Sequence, residues 1–451
     1  MTKAVPEIVD LSVLDLFSLG IGPLCSPMTA PMRAALRFAE LALASGRPNR
    51  VWCELFGTFA QAGKAYATDS AIILGLSGFA PERVDPEVIP RIIDNLAILG
   101  TLNLNATCQI PFCKDFDIIF REGEVLPGPA NALRFHAEYL NETRLSQTFF
   151  SIGGGGILQE GSEPARSKLH NPYRFSSTAE LLYLGKQYGM SISDAMLANE
   201  DIYRPRKETE RFVDKVRQAM FSRIERGCRH DGFLPGGLNA KRRAKALFET
   251  LKSGEQDLES SSIFEWVRLY ALAVDEEIAA EDRVATAPTT STAGVLPAVL
   301  KFYEAFTARP TIYGSRSFLM TAGAIGLLHQ KKRLVSAPEM GCQGEIGVAC
   351  SMAAAGLTAA HGGANVQVVN AADMGMGRSL ELTCDLVGDL AHLPFTECGA
   401  QAAVRAISAA YLALKGDGSH NLSKEAVIET LCRTGSGINS EHKERVLAAW
   451  P

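Results

Sequence analysis

Between residues 163 and 172 the chain turns polar and takes up two prolines. No other feature constrains the fold as much, because the sequence has a different texture on either side. A polar, proline-punctuated stretch of this kind reads as a linker. Before it, runs at 51–59, 116–122, 132–140 and 145–152 read as strands separated by turn residues, and a tetraglycine at 153–156 ends the last of them. A helix is expected from Pro31, suited to a first turn, to a stop at Gly46, and a shorter one over 70–76. After the linker, Ser177-Thr178-Ala179-Glu180 forms a capping-box pattern ahead of an apolar stripe. Helix-like periodicity then runs through 211–227, 262–280, 293–308, 318–330, 346–360, 400–414 and 424–433. The expected fold class is α+β. An N-terminal β-containing domain covers 1–162, a linker 163–175, and a larger all-α domain 176–451.

A chain of 451 residues can hold two or three domains and bury a large core. Its net charge of -5 gives no electrostatic reason to expect nucleic acid. The small-apolar stretch at 346–360 is too short and too rich in Ala and Gly for a membrane span. The first ten residues are mixed and acidic, unlike an export signal. Ten cysteines in such a chain read as reduced thiols, so a cytoplasmic protein is expected. Most read as small buried hydrophobes, and Cys108 with Cys113 read as thiols rather than a metal clip. The tetraglycine lacks the Lys-Ser/Thr ending of a phosphate loop.

Several motifs, in order, resemble the bacterial iron–sulfur L-serine dehydratases. Residues 20–32, GIGPLCSPMTAPM, sit in the frame of the family's GPSSSHTVGPM. GKAYATD (63–69) stands for GKGHHTD, SIGGG (151–155) is kept, and APTTS (287–291) stands for APTNG. GCQGEIGVACSMAAAG (341–356) is nearly the family's own GCQGEVGVACSMAAAG, and LTCD (382–385) is kept. The resemblance implies the two-domain fold, a homodimer and a small amino-acid substrate. It also implies a [4Fe–4S] cluster on three thiolates, whose open iron polarises the serine hydroxyl while a base takes the α-proton.

The departures fall on those same motifs. Pro27, Tyr66 and Ala67 stand at the family's histidines, and Gly377, Arg378 and Ser379 replace Glu, His and Asn ahead of LTCD. Thr290 replaces the asparagine of APTN, and Phe395 stands at the third cluster cysteine. Cys342 and Cys384 persist, and Cys398 lies three residues beyond Phe395; if that stretch is helical, it sits about one turn, roughly 5 Å, further along. The expectation is therefore a repurposed enzyme without an intact cluster or other cofactor, acting by elimination, addition or substitution on a small amino acid or carboxylate. Two alternatives stay open. One is a non-catalytic amino-acid-binding or regulatory relative. The other is an L-serine ammonia-lyase whose metal ligands are Cys342 and Cys384 with either Cys398 or Cys25 as the third. Candidate catalytic residues are Cys25, near a helix start that would favour thiolate, Tyr66 as a proton carrier, and Arg378 as an anion partner. Candidate substrate contacts are Ser26, Thr29, Lys64, Ser151, Gly153, Thr290 and Ser379.

Overall fold

The computed structural model describes residues 12–21, 25–61, 68–81, 84, 88–129, 131–153, 156–161, 171–234, 240–253, 260–279, 283–286, 294–331, 341–377 and 393–417. Two compact units emerge, one of Ser18–Ala165 with Glu281–Val284, the other of Met1–Phe17, Arg166–Ala280 and Ala285–Pro451. The class is α+β, with the sheet in the N-terminal region and helices beyond it.

In the sheet unit the elements run β1 (Ser18–Ile21), α1 (Cys25–Ala44), β2 (Pro48–Phe56), α2 (Thr58–Gln61), α3 (Thr68–Leu76) and α4 (Ile89–Leu99). A hairpin of β3 (Thr101–Leu104) and β4 (Cys108–Pro111) follows, then α5 (Lys114–Asp117), β5 (Ile118–Phe120), β6 (Ala132–Tyr139), β7 (Arg144–Gly153) and β8 (Gly156–Gln159). The main sheet has the order β5-β2-β6-β7-β8, with β2 and β5 parallel and its other pairs antiparallel. Along β6, Leu133, Phe135 and Ala137 are wholly buried, the period-2 pattern of a strand with one covered face. Phe135 stacks on Phe38 of α1 at 5.2 Å between centroids and meets Phe149 of β7 edge-on at 6.0 Å, fixing α1 to the sheet. Each such buried aromatic stabilises the fold by roughly 2–3 kcal/mol. A Cβ at Gly75 of α3 would lie 2.2 Å from the Met32 carbonyl oxygen, so only glycine lets α3 approach α1 this closely.

The helix expected from Pro31 begins instead at Cys25. Pro27 falls in its first turn, where an N–H would have no partner anyway, and Pro31, inside the helix, gives up the bond to the Pro27 carbonyl. The strand expected at 116–122 is shorter, because Lys114–Asp117 make one helical turn before β5. Asp117 drives that turn by accepting the Cys113 N–H at 2.8 Å. A last strand, β9 (Arg283–Thr286), lies far along the chain and pairs with β1.

The helical unit contains α6 (Thr178–Tyr188), α7 (Ile192–Glu200), α8 (Arg206–Gly227), α9 (Ala244–Ser253) and α10 (Ser260–Ala279). It continues with α11 (Val295–Phe306), α12 (Ile312–Lys331), α13 (Gly341–Ala360), α14 (Asn365–Gly377) and α15 (Leu393–Lys415). The Ser177 hydroxyl accepts the Glu180 N–H at 3.2 Å, as the capping-box pattern requires. Helix α13 is the hub and packs on α11, α12, α14 and α15. Its small residues permit this: a Cβ at Gly356 would meet the Phe318 carbonyl at 2.9 Å, and one at Gly375 of α14 would meet the Cys350 carbonyl at 2.9 Å. A one-turn 3-10 helix, Val13–Leu16, is pinned to the same unit by Glu200, which accepts from the Ser12 hydroxyl at 2.7 Å and the Val13 N–H at 2.8 Å. The helix expected at 424–433 lies outside the described residues.

Candidate active site

In the sheet unit, α1 begins at Cys25, so the candidate Cys25 and Ser26 open a 20-residue helix. Four residues on from Cys25, Thr29 is 1% exposed and its hydroxyl has no hydrogen-bond partner. An unsatisfied buried hydroxyl is costly, about 1–3 kcal/mol, so its retention is informative. Helix α1 packs on β7, which carries Ser151 and Gly153. Ser151 is half-buried and its N–H donates to the Asn131 carbonyl at 2.9 Å. Gly153 pairs with Gly156 past an irregularity in register. The structure thus places Thr29 and Ser151 on packed elements of one unit. Lys64, Tyr66, Thr290, Arg378, Ser379 and Cys384 lie outside the described residues.

In the helical unit Cys342 is the second residue of α13, and α15 starts at Leu393, so Phe395 and Cys398 occupy successive turns of one helix. Helices α13 and α15 pack together. The Cys398 thiol is half-buried. Cys350, further along α13, is different: it is 1% exposed, burial pushes its pKa up to about 12, and it donates to the Ala402 carbonyl at 3.5 Å. Cys350 is a packed core thiol, whereas Cys398 keeps partial access.

Beside Cys398 stands a carboxyl group that the sequence reading passed over. Asp275 on α10 is 5% exposed and accepts the Gly294 N–H at 2.9 Å, while Oδ2 has no partner. Burial pushes its pKa well above the ordinary 3.8; the Gly294 N–H pulls it back, and Glu276 and Cys398 add to the rise. A Cβ at Gly399 would lie 2.3 Å from Oδ2, so α15 can pass this carboxyl only because glycine follows Cys398. Two more buried acids follow in sequence. Glu276 accepts the N–H groups of Arg243 at 2.7 Å and Ala244 at 3.2 Å, tying down the start of α9. Burial raises its pKa despite those bonds. Glu277, with no exposure, meets Arg242, His230 at 2.9 Å, Arg226 at 3.5 Å and Arg223 at 3.8 Å. The signal was present: three consecutive acids in an otherwise apolar helical run can be buried only with partners. His329, also fully buried, lies 3.4 Å from the Ser351 hydroxyl. Among the described residues no group of three His, Cys, Asp or Glu side chains is arranged to hold a metal ion. No described helix is long and apolar enough to cross a membrane.

The comparisons with known proteins cover both units. Residues 12–162 match the model of the serine dehydratase beta chain, and 187–448 match that of the serine dehydratase alpha chain. The chain is 40% identical over 444 residues to an L-serine dehydratase of Streptomyces coelicolor, covering 96% of this chain and 97% of that one. It is 39% identical over 443 residues to L-serine dehydratase TdcG of Escherichia coli, with the same coverage. An L-serine dehydratase of Mycobacterium bovis is 38% identical over 448 residues, covering 96% of each chain. This chain belongs to the serine dehydratase family and carries the beta-chain and alpha-chain regions in a single polypeptide.

Proposed function

We propose that the protein is a serine-dehydratase-type lyase that eliminates water from a small β-hydroxy amino acid, L-serine first among them. The observation that carries this reading is full-length similarity to proteins named L-serine dehydratase through both regions. The expectation of a chain without a cofactor gains no support from a family that depends on iron and sulfur. The donor set suits a cluster in kind and number, since Cys342 and the partly accessible Cys398 lie on packed helices and Cys384 completes three thiols. In this reading Cys342, Cys384 and Cys398 would hold the cluster, which when bound would supply a Lewis-acidic iron to the substrate hydroxyl.

The chain's own groups do the remaining work. Arg378 pairs with the substrate carboxylate, and Lys64 offers a second cation. Ser26, Thr29, Ser151, Thr290 and Ser379 orient the polar groups of the substrate, and Gly153 lets the backbone come close. Cys25 or Tyr66 takes the α-proton. The C–O bond breaks as the Cα–H electrons form the double bond, and the hydroxyl leaves as water by taking up the proton that the base removed from Cα. The resulting enamine becomes an imine, and a second water hydrolyses it to pyruvate and ammonia. A homodimer, as the resemblance implies, is checked by light scattering.

Anaerobic purification, an iron count and a pyruvate assay on L-serine test the proposal. It expects about four irons per chain, the content of one cluster, and pyruvate formed with ammonia. Iron-loaded protein that makes no pyruvate from L-serine refutes it. A second reading, chemistry moved to a related small carboxylate or lost altogether, is favoured only by Pro27, Ala67, Arg378 and Phe395 at the family's functional positions. Turnover of another β-substituted amino acid, abolished by Arg378→Ala, would select the repurposed form of it.

A further inference from the structure

Helices α13 and α15 run parallel in the helical unit. The Cys350 thiol meets the Ala402 carbonyl at 3.5 Å, and further along a Cβ at Gly363 would meet Leu414 at 3.0 Å. Both helices therefore begin at one end of the bundle, with Cys342 in the first turn of α13 and Cys398 in the second turn of α15. Helix α11 packs on both. Its start is tied to that of α15 through one side chain, Asp275 of α10, which stands between Gly294, the N-cap of α11, and Gly399.

Each oxygen of this carboxyl faces a glycine. Oδ1 accepts the Gly294 N–H at 2.9 Å, and a Cβ at Gly294 would lie 2.8 Å from Oδ1 and 2.5 Å from the Ala271 carbonyl. On the other side, a Cβ at Gly399 would collide with Oδ2. The helix that carries the carboxyl is itself fixed in place. A Cβ at Gly227 of α8 would collide with the Ala273 carbonyl, and Glu276 holds the start of α9. Oδ2 is buried without a hydrogen bond, an arrangement that costs stability. A side chain kept at such a cost, between two glycines, acts as a spacer of defined shape.

We infer that Asp275 is a positioning residue for the site: its carboxyl fixes the gap between the starts of α11 and α15, and so holds the Cys398 thiol in place. For iron binding the inference rests on the proposed role of Cys398 as a cluster ligand. The placement of the thiol is a property of the helices alone. Asp275 works here through its outline and through one acceptor, the oxygen that takes the Gly294 N–H. Asparagine has both, so it can stand in for aspartate. Alanine has neither, and it leaves the start of α15 unsupported beside Cys398. An added methyl at Gly399 would disturb the same contact from the opposite side.

Alkylation of the metal-free full chain by iodoacetamide, read by peptide mass spectrometry, reports access to Cys398, with the buried Cys350 as internal control. Asp275→Ala and Gly399→Ala should each speed Cys398 alkylation about tenfold, a local opening that leaves Cys350 protected. Asp275→Asn should stay within about twofold of the unaltered chain. In the double variant the methyl takes room that the carboxyl vacated, so the rate should fall back below that of Gly399→Ala, a non-additive pair. After anaerobic iron loading, Asp275→Ala should give up its iron at about 10–100-fold lower chelator concentration, while Asp275→Asn holds it. Unchanged Cys398 alkylation in Asp275→Ala overturns the inference. So does Asp275→Asn acting like Asp275→Ala, because charge rather than outline would then matter, or equal acceleration at Cys398 and Cys350, the sign of general loosening. An unaltered chain that takes up no iron refutes the cluster reading alone, and the alkylation rates still decide the role of Asp275. Should Asp275→Ala not fold, Gly399→Ala and Asp275→Asn carry the comparison.

Discussion

The two units solve the problem of a polar chain in an apolar interior in opposite ways. The sheet unit packs large aromatics, Phe38, Phe135 and Phe149, and its acids pair with arginines that reach the surface, as Arg121 does with Glu54 and Arg50 with Asp117. The helical unit packs small residues so tightly that backbone meets backbone, and it buries Asp275, Glu276 and Glu277 in a row. Stability in the first rests on volume. In the second it rests on clearance and on buried acids, of which Glu276 and Glu277 are held by partners.

With Trp450→Phe and, in turn, Trp266→Phe or Trp52→Phe, single-tryptophan chains keep Trp52 on β2 or Trp266 on α10 as a fluorescent reporter for each unit. The largest effect is expected from Phe135→Ala, a loss of about 3–5 kcal/mol seen in the unfolding of Trp52 with less change at Trp266. Equal shifts of both reporters would break the comparison, because the units would then unfold as one. Glu277→Ala should act on the other side. It strands the Arg242 guanidinium in the interior, for a cost at the lower end of about 3–5 kcal/mol, read at Trp266. Gly375→Ala is the next smaller step, about 1–3 kcal/mol, because its Cβ would press on the Cys350 backbone. In the sheet unit, by contrast, a one-carbon enlargement at an exposed position such as Ser146→Thr should change little.

The smallest effect concerns pH. Burial raises the Glu54 pKa, but hydrogen bonds from Arg121 and His136 outweigh it and hold the carboxyl below its ordinary value of 4.5. A depressed folded-state pKa contributes stability above the unfolded value and loses it as pH falls through the folded one. Arg121→Met should therefore lower the Trp52 transition slightly at pH 7 and not at all in strong acid. A difference that persists in acid would show that Arg121 acts through packing.

Much of the architecture was legible because periodicity and motif agree. The alternation over 132–139 gives β6, and the small-residue run around 346–360 gives α13. The start of α1 was not legible, since two prolines argue for a loop until one sees that Pro27 falls in the first turn. For the candidate site, sequence named Cys398 but could not say whether it shares a helix with Phe395; α15 settles that they do. Asp275 escaped notice because an acid in a helical pattern reads as a solvent-facing residue until its neighbours are known. The orphaned hydroxyls of Thr29, Ser193 and Thr321 have no sequence signature, because a missing partner is a property of three-dimensional surroundings.

The pairing of β1 with β9 has a consequence for synthesis on the ribosome. The partner of Ser18–Ile21 is not made until Arg283–Thr286 has been translated. At about 5–20 residues per second, that edge stays open for roughly 15–50 s while α1 to α10 and the strands between them emerge. The nascent chain thus exposes an unpaired strand near its beginning for most of its translation, an interval in which chaperone capture or pairing with a neighbouring chain competes with the native closure.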